Sequence, residues 1–368
     1  MELVVRKNDL LKELSLLQGI VERKNTIPIL ANVLLEATKD GVSLLATDLD
    51  VGLRSRCEAT VTKTGTLTLP AKKLFEIVSA LPDTDIRIEE DKGGKSVTVA
   101  ADRFESRMQT LPASEFPTPP HDGGPSEAVL PGAVLKRMIS HTRFAITSED
   151  TRYFLNGAQL VLQPDSMSMV ATDGHRLAFI SVHESPGKQP KSEVLLPRKT
   201  LNEVARLIDG GSGVEFSQGE NHLFFRADGR LLISRKIDAN FPAYERVIPK
   251  SNDKHIEFDR DRLAAAVRRV RLLSNERSKA VKFVIGKDQV EIASSTPEVG
   301  EAHEVLPVEY NGGSMQICFN ADYVDNFLSV VEAETVRLEF KDEMSQAVMK
   351  PIGAEGYEYT YVIMPMRI

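Results

Sequence analysis

The sequence predicts an α+β fold built from three tandem, similar domains, each with two helices lying on antiparallel sheets. Three observations carry this reading. A short phrase recurs six times: a strand end, a polar or proline step, then an amphipathic helix. Its anchors are Arg6, Pro70, Pro131, Pro197, Asp259 and Asn320, and four residues after each comes the first apolar residue of a stripe: Leu10, Leu74, Leu135, Leu201, Leu263 and Val324. The odd-numbered copies are spaced by 125 and 128 residues and the even-numbered ones by 127 and 123, so two phrases make one domain-sized period. Between the helices the apolar period shortens to two, the spacing of strands.

Each helix shows one apolar stripe, the pattern of an element with one face packed on a sheet. The second helix carries Leu74, Ile77, Val78 and Leu81, and the fourth Leu201, Val204, Ala205 and Ile208. The fifth carries Leu263, Ala266, Val267 and Val270, and the sixth Val324, Phe327, Leu328 and Val331. Two copies fit less fully. In the first, Glu13 interrupts Leu10, Leu14 and Leu17; in the third, Leu135, Met138 and Ile139 are followed by Thr142. Strand alternation is read at Val42, Leu44 and Ala46, at Ile86 and Ile88, at Val97 and Val99, at Leu223 and Phe225, and at Val336, Leu338 and Phe340. Turn signals separate them at Asp40-Gly41, Gly93-Gly94, Asp228-Gly229 and Asn311-Gly312.

The domain borders are marked by composition. Residues 116–125 form a Pro/Gly-rich linker, Phe241-Pro242-Ala243-Tyr244 echoes its start, and a charged stretch over residues 250–254 precedes the last unit. The expected domains are 1–121, 127–246 and 247–368. At 368 residues with 42% hydrophobic and 27% charged residues the chain suits several globular domains. No signal peptide or apolar run of membrane-spanning length is readable, so a cytoplasmic location is expected, and the two cysteines, Cys57 and Cys318, are expected to stay reduced and inert.

The net charge of −7 argues against nucleic acid, but its distribution argues for it. The six helical segments (7–17, 71–80, 132–143, 198–208, 260–271 and 321–331) carry +8 together, leaving −15 on the rest. Helices sharing one face would make that face basic and attractive to a polyanion. The alternative, that these side chains only solvate helix backs, stays open.

Motifs of enzyme chemistry are missing: there is no phosphate-binding loop, His-Glu-x-x-His, Cys-x-x-Cys or nucleophile elbow. Gly210-Gly211-Ser212-Gly213 follows a helix instead of opening one, so it reads as a turn. One stretch, Ala171-Thr172-Asp173-Gly174-His175-Arg176-Leu177, puts an acid, an imidazole and a guanidinium side by side. It reads either as an acid–base pair or as a binding turn, and its counterpart Ala46-Thr47-Asp48-Leu49-Asp50 lacks the histidine. The tail, residues 362–368, reads as a docked strand or as a wall of an apolar groove. Arg152-Tyr153-Phe154 could stack on nucleic acid or belong to the core.

These readings coincide in one family. The chain resembles the bacterial DNA polymerase III beta subunit, the sliding clamp, over its whole length. The resemblance rests on Thr26-Ile27-Pro28-Ile29-Leu30, Ala46-Thr47-Asp48, Thr110-Leu111-Pro112, Arg152-Tyr153-Phe154-Leu155-Asn156-Gly157, residues 171–177, Leu196-Pro197-Arg198-Lys199, Phe241-Pro242, Leu273-Ser274-Asn275-Glu276 and Met364-Pro365-Met366-Arg367, together with the threefold repeat. It implies a DNA clamp fold, closed into a six-domain ring as a head-to-tail homodimer, with helices lining a hole that encloses duplex DNA without reading its sequence. It implies no catalytic residue, metal or cofactor, and no membrane contact. The implied partners are the clamp loader, the polymerase III alpha subunit and other proteins with clamp-binding peptides.

The resemblance also implies sites. Lys24, Lys73, Arg152, Tyr153, Phe154 and Arg198 match positions used near DNA, while Glu149 replaces the family's common glutamine and weakens that contact. The peptide groove maps to Leu155, Thr172, Gly174, His175, Arg176, Leu177, Pro242, Arg246, Val247, Asn320, Tyr323, Val362, Ile363, Met364, Pro365, Met366, Arg367 and Ile368. The dimer contact maps to Arg103, Phe104, Met108, Leu272 and Leu273 with a rim of Glu298, Glu301 and Glu304. Ser106 stands where an interface aromatic is common, with Phe104 as a substitute. Two competing functions remain: a hydrolase using Asp173, His175 and Arg176, and a repeat scaffold that binds proteins alone.

Overall fold

The structure, a computed structural model, describes residues 1–21, 26–120, 124–147, 150–187, 191–208, 213–297 and 299–367. These fall into two compact units, one of Met1–Lys136 with Lys199–Lys236 and one of Arg137–Arg198 with Ile237–Ile368.

The six phrases become six strand–helix–strands half-units. In the first repeat β1 (Glu2–Arg6) and α1 (Lys7–Leu17) lead to β2 (Asn32–Thr38), β3 (Gly41–Thr47), β4 (Val51–Cys57) and β5 (Ala59–Lys63). Then β6 (Gly65–Pro70) and α2 (Ala71–Ala80) lead to β7 (Asp85–Glu90), β8 (Ser96–Ala101) and β9 (Phe104–Gln109). The second repeat runs through β10 (Ala128–Leu130), α3 (Gly132–Thr142), β11 (Gly157–Leu162), β12 (Met167–Thr172) and β13 (Arg176–Val182). It continues with β14 (Ser192–Pro197), α4 (Arg198–Leu207), β15 (Val214–Gln218), β16 (His222–Ala227) and β17 (Arg230–Arg235). The third has β18 (Lys254–Asp259), α5 (Arg260–Val270), β19 (Ala280–Gly286), β20 (Gln289–Thr296) and β21 (Gly300–Pro307), then β22 (Met315–Asn320), α6 (Ala321–Val330), β23 (Thr335–Phe340), β24 (Ala347–Ile352) and β25 (Glu358–Ile363).

The recurring anchor residue is the helix N-cap position. Asp259 accepts from Arg262 N at 2.8 Å, and Asn320 accepts from Asp322 N at 2.9 Å, so in the third repeat the anchor satisfies orphan helix donors. Arg6 and Pro70 occupy the same position without a side-chain cap; there the entry is fixed by backbone geometry and by packing of the stripe. Asp228-Gly229 turns the β16–β17 hairpin with both residues at positive φ, +48° and +74°, as a two-residue hairpin of this kind requires.

The sheets do not stop where the repeats stop. In the first unit the order is β5-β1-β7-β8-β9 in one sheet and β10-β15-β16-β17-β4-β3-β2-β6 in the other. The second sheet therefore joins second-repeat strands to first-repeat strands through β17 on β4, with Ile233 opposite Gly52. In the second unit the orders are β14-β11-β12-β13-β25-β24-β23-β18 and β21-β20-β19-β22, and the seam is β13 on β25, with Leu177 opposite Val362.

Under the first seam lies the residue that interrupted the first helix stripe. Glu13 is buried and takes a bidentate pair from Arg230 of β17, Nε to Oε2 at 2.8 Å and Nη2 to Oε1 at 2.6 Å, with both side chains 7% exposed. The repeat puts Met138 and Tyr359 at the matching positions of the second seam, where Tyr359 donates to the backbone oxygen of His141 at 2.8 Å. One seam is thus ionic and the other aromatic. Cys57 sits near the ionic one, its thiol pushed up to about 12 by burial, with Glu13 and Asp9 adding to the effect. Both cysteines are free.

Replacing one member of a buried, hydrogen-bonded ion pair leaves the other uncompensated. Glu13→Ala should cost about 3–5 kcal/mol, read from urea denaturation, whereas the double change Glu13→Met with Arg230→Tyr should recover most of that loss. An unchanged midpoint for Glu13→Ala would show the pair to be dispensable. Cys57 should resist iodoacetamide at pH 8 in the folded protein, as mass spectrometry of the tryptic peptide would report.

Candidate functional site

The turn between β12 and β13 is built by its own side chains. Thr172 Oγ1 accepts from Gly174 N at 3.1 Å and donates to Arg176 O at 2.6 Å, and Asp173 Oδ1 accepts from His175 N and Arg176 N at 2.9 and 3.1 Å. Asp173 Oδ2 takes Arg176 Nε at 3.0 Å. Both carboxylate oxygens are therefore committed to the turn and to Arg176. The acid–base reading, which needs Asp173 to face the His175 ring, has no support in this geometry. His175 points to solvent.

Arg176 is the hub. Its side chain is 9% exposed, donates to Asn326 Oδ1 at 2.7 Å and to the backbone oxygen of Phe144 at 2.5 Å, and lies over the Tyr323 ring at 4.2 Å. A planar guanidinium fits this mixture of fork and stack where a lysine would not. Gly174 has φ of +86°, and a Cβ there would fall 2.7 Å from Arg152 Nη1, so Arg152 rests against the turn.

Beside the turn is an apolar floor. Val170, Leu177, Val348 and Val362 form a buried cluster, with Phe179, Phe241, Tyr244 and Ile248 packed against it. Phe179 and Tyr244 stack at 5.5 Å between centroids. The tail borders it: Met364 N donates to His175 O at 2.9 Å and Met366 N to Cys318 O at 2.8 Å, so the chain passes from the β13 seam to the edge of β22. Met364 is 36% exposed and Val247 40%, an apolar rim over a buried floor.

Of the residues expected in the groove, Thr172, Gly174, His175, Arg176, Leu177, Tyr323, Val362 and Met364 come together through these contacts. Leu155 and Ile363 are buried core, and Pro242, Arg246 and Arg367 are exposed. Asn320 is spent on capping α6. Pro365 and Met366 follow the seam as half-buried tail, and Ile368 lies outside the described residues. Sequence reasoning missed Val348, Phe179, Tyr244, Ile248 and Asn326. For Phe179 on β13 and Val348 on β24 the signal was strand alternation, which marks buried faces without saying which face lines a groove, whereas Tyr244 and Ile248 in the segment after Pro242 and Asn326 on α6 carried no periodic signal.

The other expected sites are placed separately. Tyr153 is 59% exposed and meets Phe154 edge-on at 6.0 Å, so the first is not core. Arg198 opens α4 and is exposed, while Lys73 is exposed and pairs with Glu76 at 2.7 Å. Lys24, Glu149 and Gly210-Gly211-Ser212 lie outside the described residues. Phe104, 42% exposed, and Met108, buried, are on β9, an edge strand that Arg103 precedes; Ser106 donates across to Val99 O at 3.1 Å. In the second unit, on the edge strand β21, Glu301 is exposed but Glu304 is bound bidentately by Arg269 at 2.6 and 2.8 Å. Leu272 is 76% exposed and Leu273 half-buried, and Glu298 lies outside the described residues. The positive excess of α5 is largely met within the unit, since Arg268 pairs with Asp325 and Arg271 with Asp322 of α6.

Among the described residues no His/Cys/Asp/Glu group of three could hold a metal ion, and no helix is long and apolar enough to cross a membrane. Three repeats of one α+β unit, with sheets that run from one repeat into the next and an apolar cluster beside the β12–β13 turn, define a modular protein of the clamp class. Family models of the DNA polymerase III beta subunit match in sequence: the N-terminal domain over residues 1–120, the central domain over 129–243 and the C-terminal domain over 245–367. The beta sliding clamp of Pseudomonas putida is 36% identical over 373 residues and that of Escherichia coli K12 34% over 371, each alignment covering 100% of both chains. The crystal structure of the Pseudomonas aeruginosa DNA polymerase III subunit beta superposes with a TM-score of 0.92 at 36% identity, covering 100% of both chains. The Bacillus subtilis sliding clamp superposes at 0.93 with 26% identity, covering 100% of this chain and 99% of that one. The chain belongs to the DNA polymerase III beta subunit family, the beta sliding clamps. Its function is that of the family, a non-catalytic processivity subunit in DNA replication whose partners are those of the polymerase III holoenzyme.

Asp173→Ala removes the acceptor of two turn N–H groups and one partner of a nearly buried guanidinium. It should lower stability by about 2–3 kcal/mol in urea denaturation, with Asp173→Asn losing less because Oδ1 survives. Equal losses for the two would mean that the charge, not the turn acceptor, is what matters.

Proposed function

We propose that two copies pair head to tail, β9 of one against β21 of the other, and close six repeats into a ring around duplex DNA. The observation that carries this reading is where apolar surface remains. Phe104 at the start of β9, Leu272 beside β21, and Val299 and Val305 on or next to β21 are 42%, 76%, 66% and 47% exposed. β9 and β21 are each the outer strand of a sheet, and a free edge with apolar side chains on or next to it invites another strand. Contact between two different edges is heterologous, and a closing rotation converts it to a ring. Arg103 and Glu301 supply a charged rim. Arg198, Lys73, Lys24 and the loop with Arg152, Tyr153 and Phe154 contact the DNA backbone and bases without sequence preference.

The groove walled by the 172–177 turn, the 241–247 segment, Tyr323 and the tail takes short linear peptides of the polymerase alpha subunit, the clamp loader and other replication or repair proteins. Its floor accepts an apolar anchor and Arg176, held in place, supports the rim. Repeats of about one domain each, 1–121, 127–246 and 247–368, are the modules of the ring.

Scattering-derived mass in solution should be that of a dimer. Leu272→Asp should weaken association at least thirtyfold, about 2 kcal/mol or more, because it puts a charge into a contact centre. The wild-type protein, loaded by its clamp loader, should stay on nicked circular DNA and leave when the circle is cut. A monomer at micromolar concentration, or retention that survives linearisation, would sink the ring. Met364→Ala should weaken a leucine-anchored peptide about tenfold by fluorescence anisotropy while leaving the dimer mass unchanged.

A further inference from the structure

The groove turn has a twin in the first compact unit. Thr47 Oγ1 accepts from Leu49 N at 3.0 Å and donates to Val51 O at 3.1 Å, as Thr172 does with Gly174 and Arg176. Asp48 Oδ1 accepts from Asp50 N and Val51 N at 3.0 and 2.7 Å, as Asp173 does from His175 and Arg176. Arg235 N closes onto Asp50 O at 2.8 Å, as Met364 N closes onto His175 O at 2.9 Å. The linker Phe116-Pro117-Thr118-Pro119-Pro120 stands where Phe241-Pro242-Ala243-Tyr244 stands in the other repeat. Beside this twin turn is a cavity of about 200 Å³ lined by Leu49, Pro117, Pro119, Pro120, His222 and Ile233.

Leu49 is where the twins differ most. It has φ of +82°, the region in which the other turn uses Gly174 at +86°. A leucine held there costs about 1–2 kcal/mol, and burial does not offset it, since Leu49 remains 49% exposed. The charge also differs. Where the second repeat presents His175 and Arg176, the first presents Asp50 and Val51. Asp50 is 75% exposed and meets Arg235, 62% exposed, at 3.7 Å. So open a pair contributes little and yields readily to another cation. His222 is pushed down by partial burial and by Arg235, which disfavours its charged form.

We infer that this cavity is a second docking site, which takes one leucine-sized or aromatic side chain of a partner's linear peptide with a basic residue next to it. Leu49 is the lip over the anchor, the proline-lined linker is the opposite wall, and the basic residue replaces Arg235 at Asp50. The volume suits one side chain and not a larger ligand. That the occupant is a peptide rests on the reading of the groove in the second unit.

The test uses full-length protein with methyl-labelled Ile, Leu and Val, titrated with acetyl-Ala-Lys-Leu-Pro-Lys-amide and with its Lys→Glu counterpart. The basic peptide should shift the Leu49 and Ile233 methyl signals with saturation below about 1 mM, and the acidic one should not. Leu49→Gly should weaken that binding at least tenfold while its melting temperature stays level or rises, because glycine fits the left-handed backbone. Unmoved Leu49 and Ile233 signals, equal binding of both peptides, or undiminished binding by Leu49→Gly would each overturn the site. If the basic peptide behaves as expected and the acidic one fails to shift Leu177 and Val362, the twin site stands and the reading of the groove in the second unit falls.

Discussion

The architecture depends on two antiparallel seams, β17 on β4 and β25 on β13. Each joins strands that are far apart in sequence and belong to different repeats, so neither repeat completes its sheet alone. A single half-unit exposes a helix stripe and a row of unpaired backbone groups; pairing across the seam satisfies the row and stacks the stripes at once. The loop-closure cost of such long-range pairing is modest per added residue, whereas the hydrogen bonds and buried area are gained along a whole strand.

The two seams solve one packing problem with different chemistry. In the first, a carboxylate within a helix stripe meets a guanidinium from the seam strand, both nearly dry. In the second, Met138 and Tyr359 occupy the matching positions, and aromatic stacking extends from Tyr359 and Tyr361 to Phe327 at 5.6 and 5.4 Å. Apolar and aromatic contact tolerates small shifts, while a bidentate pair fixes register, since a slip of one residue would leave both charges unpaired. Burial also pushes the Tyr359 and Tyr361 hydroxyls well above the usual tyrosine range, which keeps them neutral donors. Between them, the seams hold each turn at a fixed position beside its own sheet.

Much of this was legible in the sequence because repetition is a long-range signal that survives local ambiguity. The six anchors located all six helices, and the interruption at Glu13 marked a stripe with a charged residue inside it. What the sequence could not supply was that partner: Arg230 lies 217 positions away and looks like any strand arginine. The groove was partly legible for the same reason. The turn announced itself through Thr172-Asp173-Gly174, but Val348, Tyr244 and Asn326 reach it from separate elements, and strand alternation cannot say which buried face borders an opening. The charge of the 260–271 segment could be placed only with its neighbours in view. It is the most basic of the six segments, yet Asp325 of α6 and Glu304 of β21 pair with Arg268 and Arg269 of α5, and Asp322 of α6 pairs with Arg271 just past the end of α5. Charge sums along a chain ignore neighbours in space.

The repeated Ala-Thr-Asp explains how one scaffold can serve two different surfaces. Threonine and aspartate satisfy the turn's own backbone groups, so the turn is stable whatever follows. The next three positions are thereby released from structural duty. In one repeat they became Gly174-His175-Arg176, and the arginine folded back to organise Asp173, Asn326 and Tyr323. In the other they became Leu49-Asp50-Val51, and the role of holding the aspartate passed to Lys199, whose ammonium binds Asp48 and also Ile20 O at 2.9 Å. With the aspartate secured from a helix, the side chain at the left-handed position was free to be large and apolar. A self-sufficient turn at a sheet seam is therefore a place where side chains can change while the turn's own hydrogen bonds are kept, at the backbone cost that Leu49 carries, and these two turns differ there.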